Sequence, residues 1–188
     1  MSIKSEKKDM RMAMLDQLKQ NPNKNEKEDA IIHTFINEDV FKNANSIGIT
    51  MSMDHELDTR WLIDYAVGHG KKVYVPYCDY NTKQMHFVRY TSDEDITQDA
   101  FGIDIMNHKQ EAGTHPELLV VPGVIFNEVG YRIGYGGGYF DKFLSQYKGH
   151  TVSLIFEFQL AEVLIEDHDI PVQMLITEER TIHDEVSR

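Results

Sequence analysis

The sequence predicts an α/β fold, a mostly parallel sheet with flanking helices, and three observations carry that expectation. The run Leu118 to Val121 (LLVV) is apolar without alternation, the pattern of a strand covered on both faces. Ser46 to Ser52 alternates Ile47, Ile49 and Met51 with smaller or polar residues, and a helical segment and the run KKVYVP follow it, which makes a β-α-β unit. Strand and helix patterns keep alternating through the rest of the chain. In such sheets ligands gather beyond the carboxyl ends of the strands. The loops after Ser46–Ser52 and Leu118–Val121 are therefore where chemistry is expected.

Taken in order, the first helix is expected from near Ser5 to about Gln20, with Met10, Met14 and Leu18 recurring four apart. Lys7 and Arg11 fall on the same face as Met14 and Leu18. They either pack their stems and leave the charges in water or aim those charges at a ligand. Asn21–Asn25 is a loop, and Ile31, Ile32, Phe35 and Ile36 form the stripe of a second helix. After the Ser46–Ser52 strand, Asp58 or Thr59 can cap a helix from Arg60 to about His69, which Gly68 and Gly70 end. Trp61 on that helix is expected in the core. Lys71–Pro76 and Met85–Tyr90 read as strands, and the acidic tract Thr91–Asp99 as a surface loop or short helix. Leu118–Val121, a helix from Tyr139 to Tyr147, and strands at Thr151–Phe156 and Val172–Ile176 complete the set.

The 188 residues suit one domain, residues 1–188. Apolar residues make up 41% and charged residues 27%, as in ordinary globular proteins. The net charge of −12 argues against a generic nucleic-acid binder. An anionic ligand would have to be held by a few local cations and backbone N–H groups. No apolar run approaches the ~20 residues of a membrane span, and the start of the chain lacks the apolar core of a secretory signal. The single cysteine, Cys78, excludes an intramolecular disulfide and a cysteine zinc cage. The expectation is a cytoplasmic protein without nucleic-acid or membrane partners. The sequence leaves the oligomeric state open, and a monomer is the expectation.

The segment VPGVIFNEVGYRIGYGGGYFDKFL, Val121 to Leu144, is the informative one. It leaves a buried strand, passes through Gly134, Gly136, Gly137 and Gly138, and enters a helix. Strand, glycine loop and helix together let backbone N–H groups approach an anion closely. The segment has no Gly-Lys-Ser/Thr and does not match G-x-G-x-x-G, so the glycines alone fit a flexible turn equally well. Their neighbours favour phosphate. Arg132 can donate twice to a phosphate, Asp141 can hold a magnesium ion bridging phosphates, and Tyr135 and Tyr139 can stack on a flat ligand. The nine histidines form no close ligand pair, and Cys78 has no paired histidine at a telling spacing.

At these residues RIGYGGGYFDKFL resembles the signature of the 5-formyltetrahydrofolate cyclo-ligase (methenyltetrahydrofolate synthetase) family. The likeness extends colinearly through Lys7–Arg11, Met51–Thr59, Phe101–Ile103, Val121–Gly123 with Phe126, Phe158–Gln159 and His168–Asp169. Departures from the family pattern are Phe140 for a second Tyr, Gly137 for a Lys found in some members, Asn127 for Asp, Ile125 for a small residue, and Asp104–Met106 after Ile103.

The resemblance implies a fold like that of sugar-phosphate isomerases and CoA transferases. It implies ATP-dependent conversion of 5-formyltetrahydrofolate, a reduced folate, to 5,10-methenyltetrahydrofolate through a phosphorylated formyl group, with ADP and phosphate released. It places Lys7, Arg11, Arg132, Gly134, Tyr135, Gly136, Gly137, Gly138, Tyr139 and Phe140 at the nucleotide. Met51, Glu56, Met85, Phe101 and Tyr139 would contact the folate, and Asp141 with Asp169 would bind Mg2+. Arg132, Tyr139 and Glu56 would serve catalysis. The alternative is a divergent nucleotide-phosphate-binding protein of the same fold acting on another substrate.

Overall fold

Successive residues of the central strands enter two different cores. Leu118 and Val120 join one apolar cluster, whereas Leu119 and Val121 join another. Val73 and Val75 likewise face away from Tyr74. That alternation follows from the period-2 geometry of a strand and sets the sheet between two layers.

The computed structural model describes residues 2–183. In chain order it contains α1 (Ile3–Lys19), α2 (Lys24–Ile36), α3 (Asp39–Asn43), β1 (Ser46–Gly48), α4 (Arg60–Gly68), β2 (Lys72–Asp79) and β3 (Gln84–Arg89). There follow β4 (Ile96–Gln98), β5 (Asp104–Met106), β6 (Leu118–Val120), β7 (Ile125–Phe126), β8 (Arg132–Ile133) and α5 (Tyr139–Leu144). The chain continues through β9 (His150–Leu154), β10 (Met174–Ile176) and β11 (Thr181–His183).

Seven strands form one sheet in the order β11-β10-β9-β6-β1-β2-β3. Its five inner strands run parallel, with Ile47 opposite Val73 on one side and Leu118 on the other. The edge strands β3 and β11 are antiparallel. The predicted α/β class with a mostly parallel sheet is thus what the chain adopts. Two hairpins, β4–β5 and β7–β8, stand outside the sheet.

The first core takes Met14 and Leu18 from α1, Ile31, Ile32 and Phe35 from α2, and Leu62, Ile63 and Ala66 from α4. The second takes Leu144 from α5 and Phe87 from β3. Each of the Leu, Ile, Met and Phe side chains, fully buried, contributes about 1.5–3 kcal/mol. Gly48 is a tight point of the second layer, because a Cβ there would lie 2.9 Å from the Leu119 side chain and 3.0 Å from Phe87.

Three elements differ from expectation. The Ser46–Ser52 strand narrows to Ser46–Gly48, although Ile49 N still donates to Tyr74 O at 2.9 Å. The last helix stops at Leu144, where Gln146 N and Tyr147 N turn back to the carbonyls of Phe143 and Leu144. Trp61 is not in the core. Leu62, Ile63 and Ala66 take the inner face of α4, so Trp61 is 53% exposed and stacks on Tyr65, which stacks on His69. The acidic tract becomes a short 3-10 turn at Asp93–Asp95 that leads into β4.

Candidate active site

The loop leaving β1 is fixed by side chains before it reaches any ligand. Thr59 Oγ1 donates to Thr50 O and accepts from Ser52 N, while Ser52 Oγ accepts from Thr59 N. The buried Glu28 of α2 accepts from Asp58 N, and Lys24 donates to Asp54 O. Thr59 therefore ties the loop instead of capping α4, and Asp58 Oδ1 accepts from Arg60 N. The clasp presents His55 and Glu56. Glu56 Oε1 accepts from Met53 N at 2.7 Å.

The glycine loop grows out of the β7–β8 hairpin. Asn127 Oδ1 accepts from the N–H groups of Val129, Gly130 and Tyr131 and so folds its turn. Arg132 then points inward and is only 6% exposed. Glycines give it room: a Cβ at Gly134 would lie 3.1 Å from Arg132 Nη1, and one at Gly123 would lie 3.3 Å from Cδ. Arg132 Nη2 meets Asp141 Oδ1 at 3.3 Å, and its guanidinium lies 5.8 Å from the Phe140 ring centroid. Arg132 Nε is buried without a hydrogen-bond partner. Burial pushes the guanidinium below its ordinary value while Asp141 and Asp169 oppose the shift. The group stays cationic, as arginine does in proteins. Gly138 carries the positive φ of 73° that admits the chain to α5. At Gly137 a Cβ would sit 2.9 Å from the Tyr139 ring.

Helix α1 supplies two cations from the face that also carries Met14 and Leu18. Arg11 Nε donates to Gly134 O at 2.6 Å, and its guanidinium lies against Gly136. Lys7 Nζ lies 3.3 Å from Glu166 and 3.6 Å from the buried Asp169. Both cations are thus partnered within the protein, Arg11 on the glycine loop and Lys7 on the acidic turn before β10.

Aromatic and apolar groups line the other side. Met85 is buried on β3 in the core that also packs Tyr139 and Phe140. Tyr80 bridges two expected wall residues edge-on, with its ring 4.8 Å from Phe101 and 6.2 Å from Tyr139. Phe101 is 71% exposed at the tip of the β4–β5 hairpin, held there by Asp99, which accepts from Phe101 N and Ile103 N. Tyr80 O–H donates to the same Asp99 at 2.6 Å. Met51 is half-buried against the first core. A small cleft of about 40 Å³ lies at the carboxyl ends of β1 and β6, lined by Thr50, Ser52, Glu56, Val121, Pro122 and Gly123 among others; Glu56 lines it, whereas Met51, Met85, Phe101 and Tyr139 do not.

Tyr135 closes the gap between the two loops. Its O–H donates to Glu56 Oε2 at 3.1 Å, and His55 Nε2 lies 2.7 Å from the Tyr135 hydroxyl oxygen. Three contributors were not singled out from sequence: His55 as a partner of Tyr135, Tyr80 in the aromatic row, and Glu166 beside Lys7. His55 and Tyr80 are both a few residues past a strand's apolar run, which is the one signal that marks them. The metal reading has a narrower footing. Among the described residues no three His, Cys, Asp or Glu side chains form a ready metal cage. Asp141 and Asp169 already face Arg132 and Lys7. This donor set suits an ion that takes one or two carboxylates and completes its shell with phosphate and water.

The fold and site together define an α/β protein with two arginines, Arg132 buried and Arg11 docked from α1, at a glycine loop, and the Glu56 carboxylate bonded to Tyr135 of that loop. Residues 3–178 match the model of the 5-formyltetrahydrofolate cyclo-ligase family, and this chain belongs to that family. The 5-formyltetrahydrofolate cyclo-ligase of Escherichia coli K12 is 30% identical over 146 residues, covering 71% of this chain and 78% of that protein. The Mus musculus enzyme of the same name is 27% identical over 155 residues, covering 74% and 76%. The NMR structure of 5,10-methenyltetrahydrofolate synthetase from Aquifex aeolicus superposes with a TM-score of 0.81 at 27% identity, covering 100% of this chain and 95% of that one.

Proposed function

We propose that this chain converts 5-formyltetrahydrofolate to 5,10-methenyltetrahydrofolate using ATP, with ADP and phosphate as the other products. Family membership supports the folate reaction. The observation that supports the ATP requirement is that Arg11 and Arg132 both border Gly134, which brings two guanidinium groups to the glycine loop of a strongly acidic protein. Phosphoryl transfer asks a protein mainly for positioning and charge neutralisation, and this loop offers both.

The formyl oxygen on N5 attacks the γ-phosphorus of ATP, and the bond to the β–γ bridging oxygen breaks, releasing ADP. The N10 amine then attacks the activated formyl carbon and loses its proton. The carbon–oxygen bond breaks, and phosphate leaves with the oxygen. An amide oxygen is a poor leaving group until it is phosphorylated, which is why the nucleotide is required. Arg132, Arg11 and the N–H groups of Gly134–Tyr139 would hold the phosphates, with Lys7 nearby and Phe140 beneath Arg132. Glu56 would orient the pterin nitrogens, and Met51, Met85, Phe101 and Tyr139 would enclose the rings. Asp141 and Asp169 would hold magnesium, which supplies charge neutralisation to the phosphates when bound.

The test is absorbance in the methenyl-folate band on mixing protein, 5-formyltetrahydrofolate, ATP and magnesium. A rise that requires all four components is expected. A rise without ATP would overturn the phosphorylated course, and no rise with intact ATP binding would overturn the folate assignment.

A further inference from the structure

His55, Tyr135 and Glu56 form a chain of hydrogen bonds across two loops that lie about 80 positions apart in sequence, at the rim of the cleft. Proton counting fixes its direction. Ionised Glu56 can only accept, and a phenol carries one proton. That proton goes to Glu56 Oε2, so the Tyr135 oxygen must accept from His55, whose Nε2 bears the hydrogen. Burial and the Glu56 carboxylate hold the Tyr135 phenol above its ordinary value, so it remains a donor. The other Glu56 oxygen is tied to Met53 N within its own loop. Both oxygens keep lone pairs free for a ligand.

On the far side, Tyr135 directly follows Gly134, whose carbonyl accepts from Arg11. An anion seated on the glycine loop engages Arg11 and so bears on the segment that carries Tyr135. We infer that His55 and Tyr135 are positioning residues that orient Glu56 and couple nucleotide binding on the glycine loop to folate binding in the cleft. The inference rests on the proposed function and adds to it two roles: His55 gains one, and Tyr135 acts across the cleft as well as at the nucleotide.

The full chain tests it by calorimetry with 5-formyltetrahydrofolate, with and without a non-hydrolysable ATP analogue and magnesium. Wild type should bind the folate about fivefold or more tightly when the analogue is present, the lower end of ordinary coupling between sites. Tyr135→Phe, which keeps the ring and removes the hydroxyl, should bring that ratio to near one. His55→Ala should do the same while leaving affinity for the analogue alone within about twofold, and His55→Gln, which restores an N–H donor, should recover the ratio. The double variant should match Tyr135→Phe, because both changes break one relay.

An unchanged ratio in Tyr135→Phe overturns the inference, and so do losses that multiply in the double variant. A wild-type ratio near one in protein that still forms methenyl-folate overturns the coupling and leaves the function standing. Wild-type protein that binds ATP but neither binds nor converts the folate overturns the function, and the coupling with it.

Discussion

Arg11 Nε and the carbonyl oxygen of Gly134 are 2.6 Å apart although 123 positions separate them in the chain. This bond docks the first helix on the glycine loop. Removing it should weaken nucleotide binding without unfolding α1, whose Met14 and Leu18 remain buried. Arg11→Ala is expected to cost about 1.5–3 kcal/mol of ATP affinity, the range for a hydrogen bond to a charged group. Arg11→Lys should recover only part of it, since an ammonium lacks the guanidinium fork. Calorimetric titration with ATP checks both, and an unchanged dissociation constant in Arg11→Ala would remove Arg11 from the site.

Arg132 and Asp141 form a pair whose members should separate in their effects. Arg132→Ala is expected to lower ATP affinity by about 1.5–3 kcal/mol. Asp141→Asn keeps the shape and should raise the magnesium concentration needed for half-maximal turnover while far-UV circular dichroism stays that of wild type. A magnesium titration that does not move would take Asp141 out of the metal assignment.

Gly130 is the most intolerant turn position. It has a φ of +105°, and a Cβ there would collide with the carbonyl of Val172, whose N–H donates to Gly130 O. Gly130→Ala is therefore expected to lower stability by about 1–3 kcal/mol from backbone strain alone, plus the clash. Urea unfolding reads the change, and because Gly130 shapes the hairpin that ends in Arg132, activity should fall before the fold is lost. A variant as stable as wild type would contradict this account of the turn.

Cys78 gives a pH prediction with a definite sign. Burial, aided by the Asp99 charge, pushes its thiol up to about 11. The thiolate is the reactive form, so alkylation of native protein by iodoacetamide at pH 8 should run at about a thousandth of the full thiolate rate. It should climb with pH until near 11. The folded-state value is raised, so the contribution to stability is present below the unfolded value near 9.0 and is lost as pH rises through about 11. Fast labelling at neutral pH would show that the thiol is not held protonated.

Much of the architecture is legible where one period governs many residues. LLVV at 118–121 reads as a doubly covered strand, and it lies in the middle of the parallel sheet with alternate residues in two cores. The four-residue spacing of Met10, Met14 and Leu18 carries Arg11 onto the side of α1 that meets the glycine loop. Trp61 fails for the opposite reason. A nine-residue helix has room for only one buried stripe, and size alone does not say which side chain takes it. The pairs His55 with Tyr135, Tyr80 with Asp99 and Lys7 with Glu166 lie beyond any local pattern, because each joins segments distant in sequence that only the tertiary fold brings together.

The placement of Trp61 decides what light can report about this molecule. It is the chain's one tryptophan, it is 53% exposed, and it stacks on Tyr65 and, through it, on His69. Its emission in the native state should already sit near that of indole in water, so denaturation would shift the spectrum little. A fluorescence melt would follow the outer face of α4 and under-report the loss of both cores. Far-UV circular dichroism or amide exchange along β1, β6 and β9 would follow the sheet itself.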